Sequence, residues 1–203
     1  GLVVIDISDP TDPTRVGDYV SSGYSRGVAV SGNYAYVADE HGGLLVVNVS
    51  DPANPTWAGS YDTSGFAWDV VVSGDYAYIA VESNGLVVVD VSDPENLVLA
   101  RTCDTSGYAY SVAVSGGYAY VADAQEGLVV LGPDSDDDDV ADVNDVFPND
   151  PEEWADTDGD GVGDNSDGLP DDLAASVDSD GDGFPDEWNA GKSQVDSTTG
   201  LYL

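Results

Sequence analysis

Positive charge is nearly missing from this chain. Four Lys+Arg stand against 40 Asp+Glu, a formal net charge of −36 over 203 residues. Nucleic acid and anionic membrane surfaces are poor partners for such a surface. Cations, or surfaces bridged by cations, suit it. Cysteine occurs once, at Cys103, and histidine once, at His41. A single cysteine excludes an internal disulfide and leaves both a cytosolic home and a secreted, metal-stapled one open. A single histidine supports neither a catalytic triad nor a zinc site. No run of about 18 apolar residues is present, so no membrane-spanning helix is expected. Helix signals, glycine-rich phosphate loops and basic patches are also missing. No signal peptide is legible, and a chain opening at Gly1 reads as processed or as a piece of something longer.

The charge that is present is uneven. Residues 1–132 hold 17 acidic residues and 3 arginines, and residues 133–203 hold 23 acidic residues and one lysine. The second part is about half as long and the more negative, so a domain boundary is expected at Gly132-Pro133.

The first part repeats. Residues 1–42, 43–84 and 85–126 align without insertions, and a fourth copy starts with "GLVVLG" and stops. Each unit reads as four short strands. "GLVVIDIS" is a β-branched apolar run. "SDPTDP" is a turn whose prolines stop pairing. "RVGDYV" or its equivalent is a second strand, and "GVAVSGNYAYVAD" is a hairpin across a glycine turn. Four strands every ~40–45 residues is the spacing of a β-propeller blade. These residues resemble the LVIVD repeat, and the resemblance implies a propeller-type fold of the kind found in bacterial and archaeal surface and secreted proteins. The fold implies little about activity. Closed propellers need at least ~4 blades. This chain opens on the last two strands of one blade and closes on the first strands of another. Unpaired edges are therefore expected at both ends, filled either by repeats belonging to a longer chain or, head to tail, by another copy.

The second part repeats at a period of 22, with acidic loops starting at Asp134, Asp156 and Asp178. Calcium takes about 6–8 oxygen ligands, and a turning loop supplies them from alternate side chains, with a glycine at the sharp bend. The middle loop offers Asp156, Asp158, Asp160, the Val162 carbonyl, Asp164 and Asp167, with Gly161 at the bend. The first offers Asp134, Asp136, Asp138, the Val140 carbonyl, Asp142 and Asp145, but has Asp139 where glycine is wanted. The third offers Asp178, Asp180, Asp182, the Phe184 carbonyl and Asp186, and ends on the neutral Asn189. This pattern resembles the thrombospondin type 3 repeat of secreted adhesive proteins. The resemblance implies several calcium ions, a chain wrapped around them with little core, and a linker in "FPNDPEEW" whose Asp150 and Glu153 add ligands. A solvated acidic tail is the alternative, but it would not hold the glycines in phase. Extracellular calcium modules bind at ~10⁻⁴–10⁻³ M, which suits the outside of a cell.

Other candidates carry less. Cys103 takes the repeat position of Tyr19 and Tyr61 and reads as a small hydrophobe. His41 reads as polar surface in a turn. Tyr24, Phe66, Trp68, Tyr108 and Tyr110 recur near a glycine turn and suit either blade packing or stacking on a flat glycan. The expectation is an all-β, propeller-like domain of three 42-residue units, open at its ends, followed by an irregular calcium-binding arm. It is expected to be non-enzymatic, extracellular or at the cell surface, and partnered by copies of itself. The alternative is a glycan- or protein-binding adhesion module of a larger protein.

Overall fold

The protein is described by a computed structural model covering residues 1–135, 140, 144–179 and 181–202. It divides into two compact units, Gly1–Leu131 and Gly132–Leu203.

The first unit is built of antiparallel strands. β1 (Leu2–Asp6) and β2 (Thr14–Tyr19) form a two-stranded ribbon. β3 (Gly27–Ser31), β4 (Tyr34–Ala38), β5 (Leu44–Asn48) and β6 (Thr56–Tyr61) form blade A, in that order across the sheet. β7 (Ala67–Ser73), β8 (Tyr76–Val81), β9 (Gly85–Asp90) and β10 (Val98–Cys103) form blade B. β11 (Ala109–Ser115), β12 (Tyr118–Asp123) and β13 (Gly127–Leu131) form blade C, which has no fourth strand among the described residues. By repeat position the ribbon supplies strands three and four of a further blade. The expected four-stranded, propeller-like repeat is thus present, and open at both ends.

The blades stack face on face. Even positions of β5 (Leu44, Val46) pack into one core with odd positions of β9 (Val87, Val89), Val70 and Ile79. The next interface joins Leu86 and Ala80 of blade B to Val112, Val121, Val129 and Leu131 of blade C. The ribbon joins blade A in the same way, with Leu2 and Tyr19 against Val37, Leu45 and Val47. Period-2 alternation normally leaves one face of a strand polar. Here the third strand is apolar on both faces because a blade sits on either side. The first strands also meet across the blade B–C junction, where the Asp69 carboxylate accepts from Ser111 Oγ (2.6 Å) and from the Val112 amide (3.2 Å).

Turns are locked by acidic side chains. Asp39 is buried and accepts from Ser21 Oγ (2.7 Å), Ser25 Oγ (2.7 Å) and the Gly23 amide (3.0 Å). Asp123, one blade pair on, accepts from Thr105 Oγ1 and the amides of Gln125 and Glu126. The intervening copy has Val81, and Asn84 closes the turn instead by donating to the Thr63 carbonyl (3.1 Å). Among its described residues the second unit is irregular, with one isolated bridge, Val177 to Glu187, and a 3₁₀ turn at Gln194–Asp196.

Two glycines separate backbone freedom from close packing. Gly74 and Gly85 both hold positive φ, +58° and +69°. A Cβ at Gly74 meets nothing within 4 Å, whereas one at Gly85 runs into the Cys103 carbonyl and the Thr105 amide. Gly74→Ala is expected to cost about 1–2 kcal/mol, the left-handed backbone term alone. Gly85→Ala should cost clearly more and lower the urea midpoint further. Equal midpoints for the two variants would contradict this packing.

Candidate functional site

The acidic loops build themselves from local hydrogen bonds, and the 22-residue period reappears as geometry. Asp156 accepts from the Gly159 amide (2.7 Å) and the Gly161 amide (3.0 Å). Asp178 accepts from Gly181 (2.8 Å) and Gly183 (2.8 Å) in the same way. Gly161 and Gly183 hold positive φ, +92° and +83°, which is the bend expected at the sixth loop position. Asp160 Oδ1 accepts from the Val162 amide, and Asp182 Oδ1 from the Phe184 amide. Asp145 and Asp167 each accept from the amide two residues on, Phe147 and Leu169.

Within the middle loop, Asp156, Asp158 and Asp160 bring carboxylate oxygens to within 4.8 Å of one another. At an effective dielectric near 20, each pair at that distance repels by about 3 kcal/mol. Asp167 stands against the same group. Burial pushes its carboxyl up to about 6, with Asp160, Asp158 and Asp164 adding repulsion. Asp158 is also raised, first by burial and then by Asp160, Asp156 and Asp172. Buried oxygens without a hydrogen-bond donor occur at Asp158 Oδ2, Asp167 Oδ2, Asp145 Oδ2 and Glu153 Oε1. Buried polar atoms are normally satisfied. Four orphaned carboxylate oxygens in one acidic unit fit a cation better than any donor of this chain, and several converging carboxylate oxygens are the ligand set of a hard divalent ion.

The structure sorts the expected ligands. Asp156, Asp158 and Asp160 come together, and Asp167 lies near enough to be repelled by Asp160 and Asp158. Asp164 turns to Thr157, accepting from its amide (2.7 Å) and its hydroxyl (2.6 Å), which holds its carboxyl below the usual range. Asp186 does the same with the Ser179 amide (2.8 Å). These two close their loops. Asp136, Asp138, Asp142 and Asp180 lie outside the described residues, whereas Asp134 and Val140 lie within them.

Two residues matter beyond the loop pattern. Glu153 is buried, its Oε2 accepts from the Asn165 amide (3.1 Å), and a Cβ at Gly163 would collide with its carboxylate. Gly163 is therefore a glycine because Glu153 reaches in. Asp172 is buried and accepts from the hydroxyls of Ser197 and Thr199 and from the amides of Ala174 and Thr198. Burial pushes its carboxyl up, and those bonds outweigh burial and hold it low. The loop template has no place for Asp172. Only its match to Asp150 at the 22-residue offset signalled it. Asn189, the neutral end of the third loop, donates to Asp160 of the middle loop.

A second cluster lies on the first unit, at one repeat position per blade. Arg26 stands over the ring of Trp68 (4.8 Å to the centroid), and Trp68 meets Tyr110 edge-on (5.2 Å between centroids). Arg26 also pairs with Glu40 (3.0 Å). Glu40 is held at φ +46° by its backbone bridge to Ala67. His41 meets Phe66 edge-on at 4.3 Å. Tyr24, Tyr108 and Tyr110 remain exposed.

Comparison with known proteins bears on the first unit. Residues 1–21, 22–63, 64–105 and 106–132 match the LVIVD repeat. No curated protein matches. Among solved structures, AztD from Citrobacter koseri is similar at 19% identity and a TM-score of 0.42, covering 58% of this chain and 33% of that one. Apo AztD from the same organism gives 18% and 0.28, covering 59% and 46%. The computationally designed Ika4 protein gives 6% and 0.38, covering 56% and 93%. The similarity thus spans about a third of the first of these chains. No described helix is long and apolar enough to cross a membrane.

The titration of Asp167 has a definite sign. Its folded value, about 6, lies above the ordinary 3.8. Between those values the folded loop binds more protons than the unfolded chain, so stability without cations falls as pH rises from about 4 to about 6. The lowered carboxyls of Asp164, Asp172 and Asp186 act in a separate window, their contribution being lost only as pH drops below 3.8. In chelator, amide NMR should show more dispersed Leu169 and Asp164 signals at pH 5 than at pH 7. The reverse order would contradict the burial of Asp167.

Proposed function

On the premise that the chain belongs to the LVIVD repeat family, whose repeats occupy residues 1–132, we propose that it is a calcium-stabilised extracellular structural protein. It assembles head to tail through its open blade edges into a filament, sheath or surface layer, and it is not an enzyme. The observation that carries the calcium reading is the set of buried, donorless carboxylate oxygens around the Asp156–Asp158–Asp160 group. Asp156, Asp158, Asp160, Asp167 and the Val162 carbonyl would hold one ion. Asp178, Asp182 and the Phe184 carbonyl repeat that arrangement, and Asp134, Val140 and Asp145 belong to the first loop. The 22-residue period resembles the thrombospondin type 3 repeat, and this reading takes the arm as such a module.

A bound ion supplies positive charge and oxygen coordination where the chain has none. The unit 133–203 carries 23 acidic residues and one lysine and has few buried apolar side chains, chiefly Ala174 and Ala175. Folding and ion binding are therefore coupled. Affinities of ~10⁻⁴–10⁻³ M place such a module where calcium is abundant, which supports an extracellular location. The exposed Tyr24, Tyr108 and Tyr110 favour a second reading, an adhesion module whose aromatic row stacks on glycan rings.

Limited proteolysis and electron microscopy with and without chelator test the first reading. Calcium should protect residues 133–203 and support polymers, and chelator should expose the arm and dissolve them. Magnesium should substitute poorly, since it prefers fewer protein ligands. An unchanged digestion pattern would remove calcium from the account, and a monomer that binds glycans on an array would favour the second reading. Asp158→Asn combined with Asp167→Asn should weaken calcium protection by about tenfold or more, as loss of ligand charge lowers affinity. An unaltered calcium titration would contradict the ligand assignment.

A further inference from the structure

The junction of blades A and B holds two buried polar atoms that the fold leaves unanswered. Trp68 Nε1 is a donor with no acceptor among the described residues, and Glu40 Oε2 is an acceptor with no donor among them. Buried polar atoms are normally paired. Blades A and B are both complete four-stranded sheets, so neither atom owes its state to an end of the unit. One side chain touches both residues. The Arg26 guanidinium stands 4.8 Å from the centre of the Trp68 ring and donates to Glu40 Oε1 (3.0 Å). Tyr110 meets Trp68 edge-on (5.2 Å between centroids) and steadies the indole.

The repeat shows what is special about this place. Positions 26, 68 and 110 carry Arg, Trp and Tyr, and positions 40, 82 and 124 carry Glu, Glu and Ala. Of the two junctions between blades, A–B alone joins a guanidinium, a carboxylate and an indole. Glu40 also differs from Glu82 in its backbone. Glu40 and Ala67 exchange amide-to-carbonyl bonds (3.2 and 3.1 Å) that hold Glu40 at φ +46°. Glu82 makes the same bridge to Ala109 without a left-handed backbone. A left-handed glutamate is uncommon, and strain of this kind gathers at ligand clamps.

Arg26 is a weak cover. Its side chain is 40% exposed, against 12% for that of Glu40. A cation–π contact at an exposed site and a partly exposed ion pair each favour the closed arrangement by only about two- to fivefold. Resting on the adhesion reading above, we propose that Arg26 is the lid of a sugar-binding site. With Arg26 turned aside, a neutral sugar ring stacks on the Trp68 face. One of its hydroxyls accepts from Trp68 Nε1 and another donates to Glu40 Oε2. A hydroxyl can do either, and a sugar ring sets several of them around an apolar face. An indole flanked by a lone donor and a lone acceptor matches that arrangement. A uronic acid brings further negative charge beside Glu40 in a chain of net charge −36, so acidic sugars are disfavoured.

The test is an NMR titration of the isotope-labelled chain in calcium, with the Trp68 indole N–H signal assigned by its loss in Trp68→Phe. The probes are neutral gluco-, galacto- and manno-hexasaccharides, with hexagalacturonate as the acidic control. A neutral probe should move the Trp68 indole signal, and hexagalacturonate should not. Arg26→Ala removes the lid and should tighten binding of that probe by about tenfold. Glu40→Ala and Trp68→Phe should weaken it by about fivefold or more. A side chain that merely holds the blades together does not improve binding when it is removed, so the gain in Arg26→Ala decides the matter even where the other variants fold poorly. Binding that leaves the indole signal in place and is indifferent to Arg26→Ala overturns this site, while the adhesion reading stands on its exposed tyrosines. No binding of any probe, by the wild-type chain or by Arg26→Ala, overturns both. Tighter binding of hexagalacturonate than of the neutral probes overturns the lid, since Arg26 would then be the ligand contact.

Discussion

The third strand of each blade is apolar on both faces, and such a strand is fully buried only where a sheet stands on either side of it. That constraint organises the first unit. It explains why Leu44 and Val46 on one face and Leu45 and Val47 on the other face of a single strand are all buried. It also explains why the ends differ from the middle. Burying a valine or leucine side chain contributes about 1.5–3 kcal/mol, and the ribbon and three blades gain this at three interfaces. The exposed rows at those ends are the same residue types, in the same repeat positions, as the buried ones.

The second unit obeys the opposite rule. Little apolar surface is available, and carboxylates stand close enough to repel. The loops hold their backbone shape with amide-to-carboxylate bonds from Asp156, Asp158, Asp160 and their 22-residue equivalents, yet those bonds leave oxygens over. Those leftover oxygens are the physical basis of the proposed cation. Four cationic side chains, three of them in the first unit, cannot supply that charge.

Much of this was legible in the sequence, for a physical reason. A 42-residue period without insertions fixes blade number and phase, and a 22-residue period with glycines at the bends fixes loop geometry, because both patterns are dictated by backbone spacing. What depends on neighbours was not legible. Val28 and Val70 are the same residue at the same repeat position, and only the presence or absence of a blade beside them sets their exposure. Asp164 fits the ligand template but closes on Thr157, a choice made by one hydroxyl. Asp172 is buried by hydroxyls about 25 residues further along, and Glu153 is admitted by the missing side chain of Gly163. Long-range contacts of single polar groups leave no period to read.

Sedimentation velocity of the unmodified chain in calcium, across a hundredfold range of concentration, tests the central claim most directly. If the bare end faces are completed by other copies, the weight-average sedimentation coefficient rises with concentration and shows no plateau at the monomer value. A single, concentration-independent monomer boundary would contradict the account.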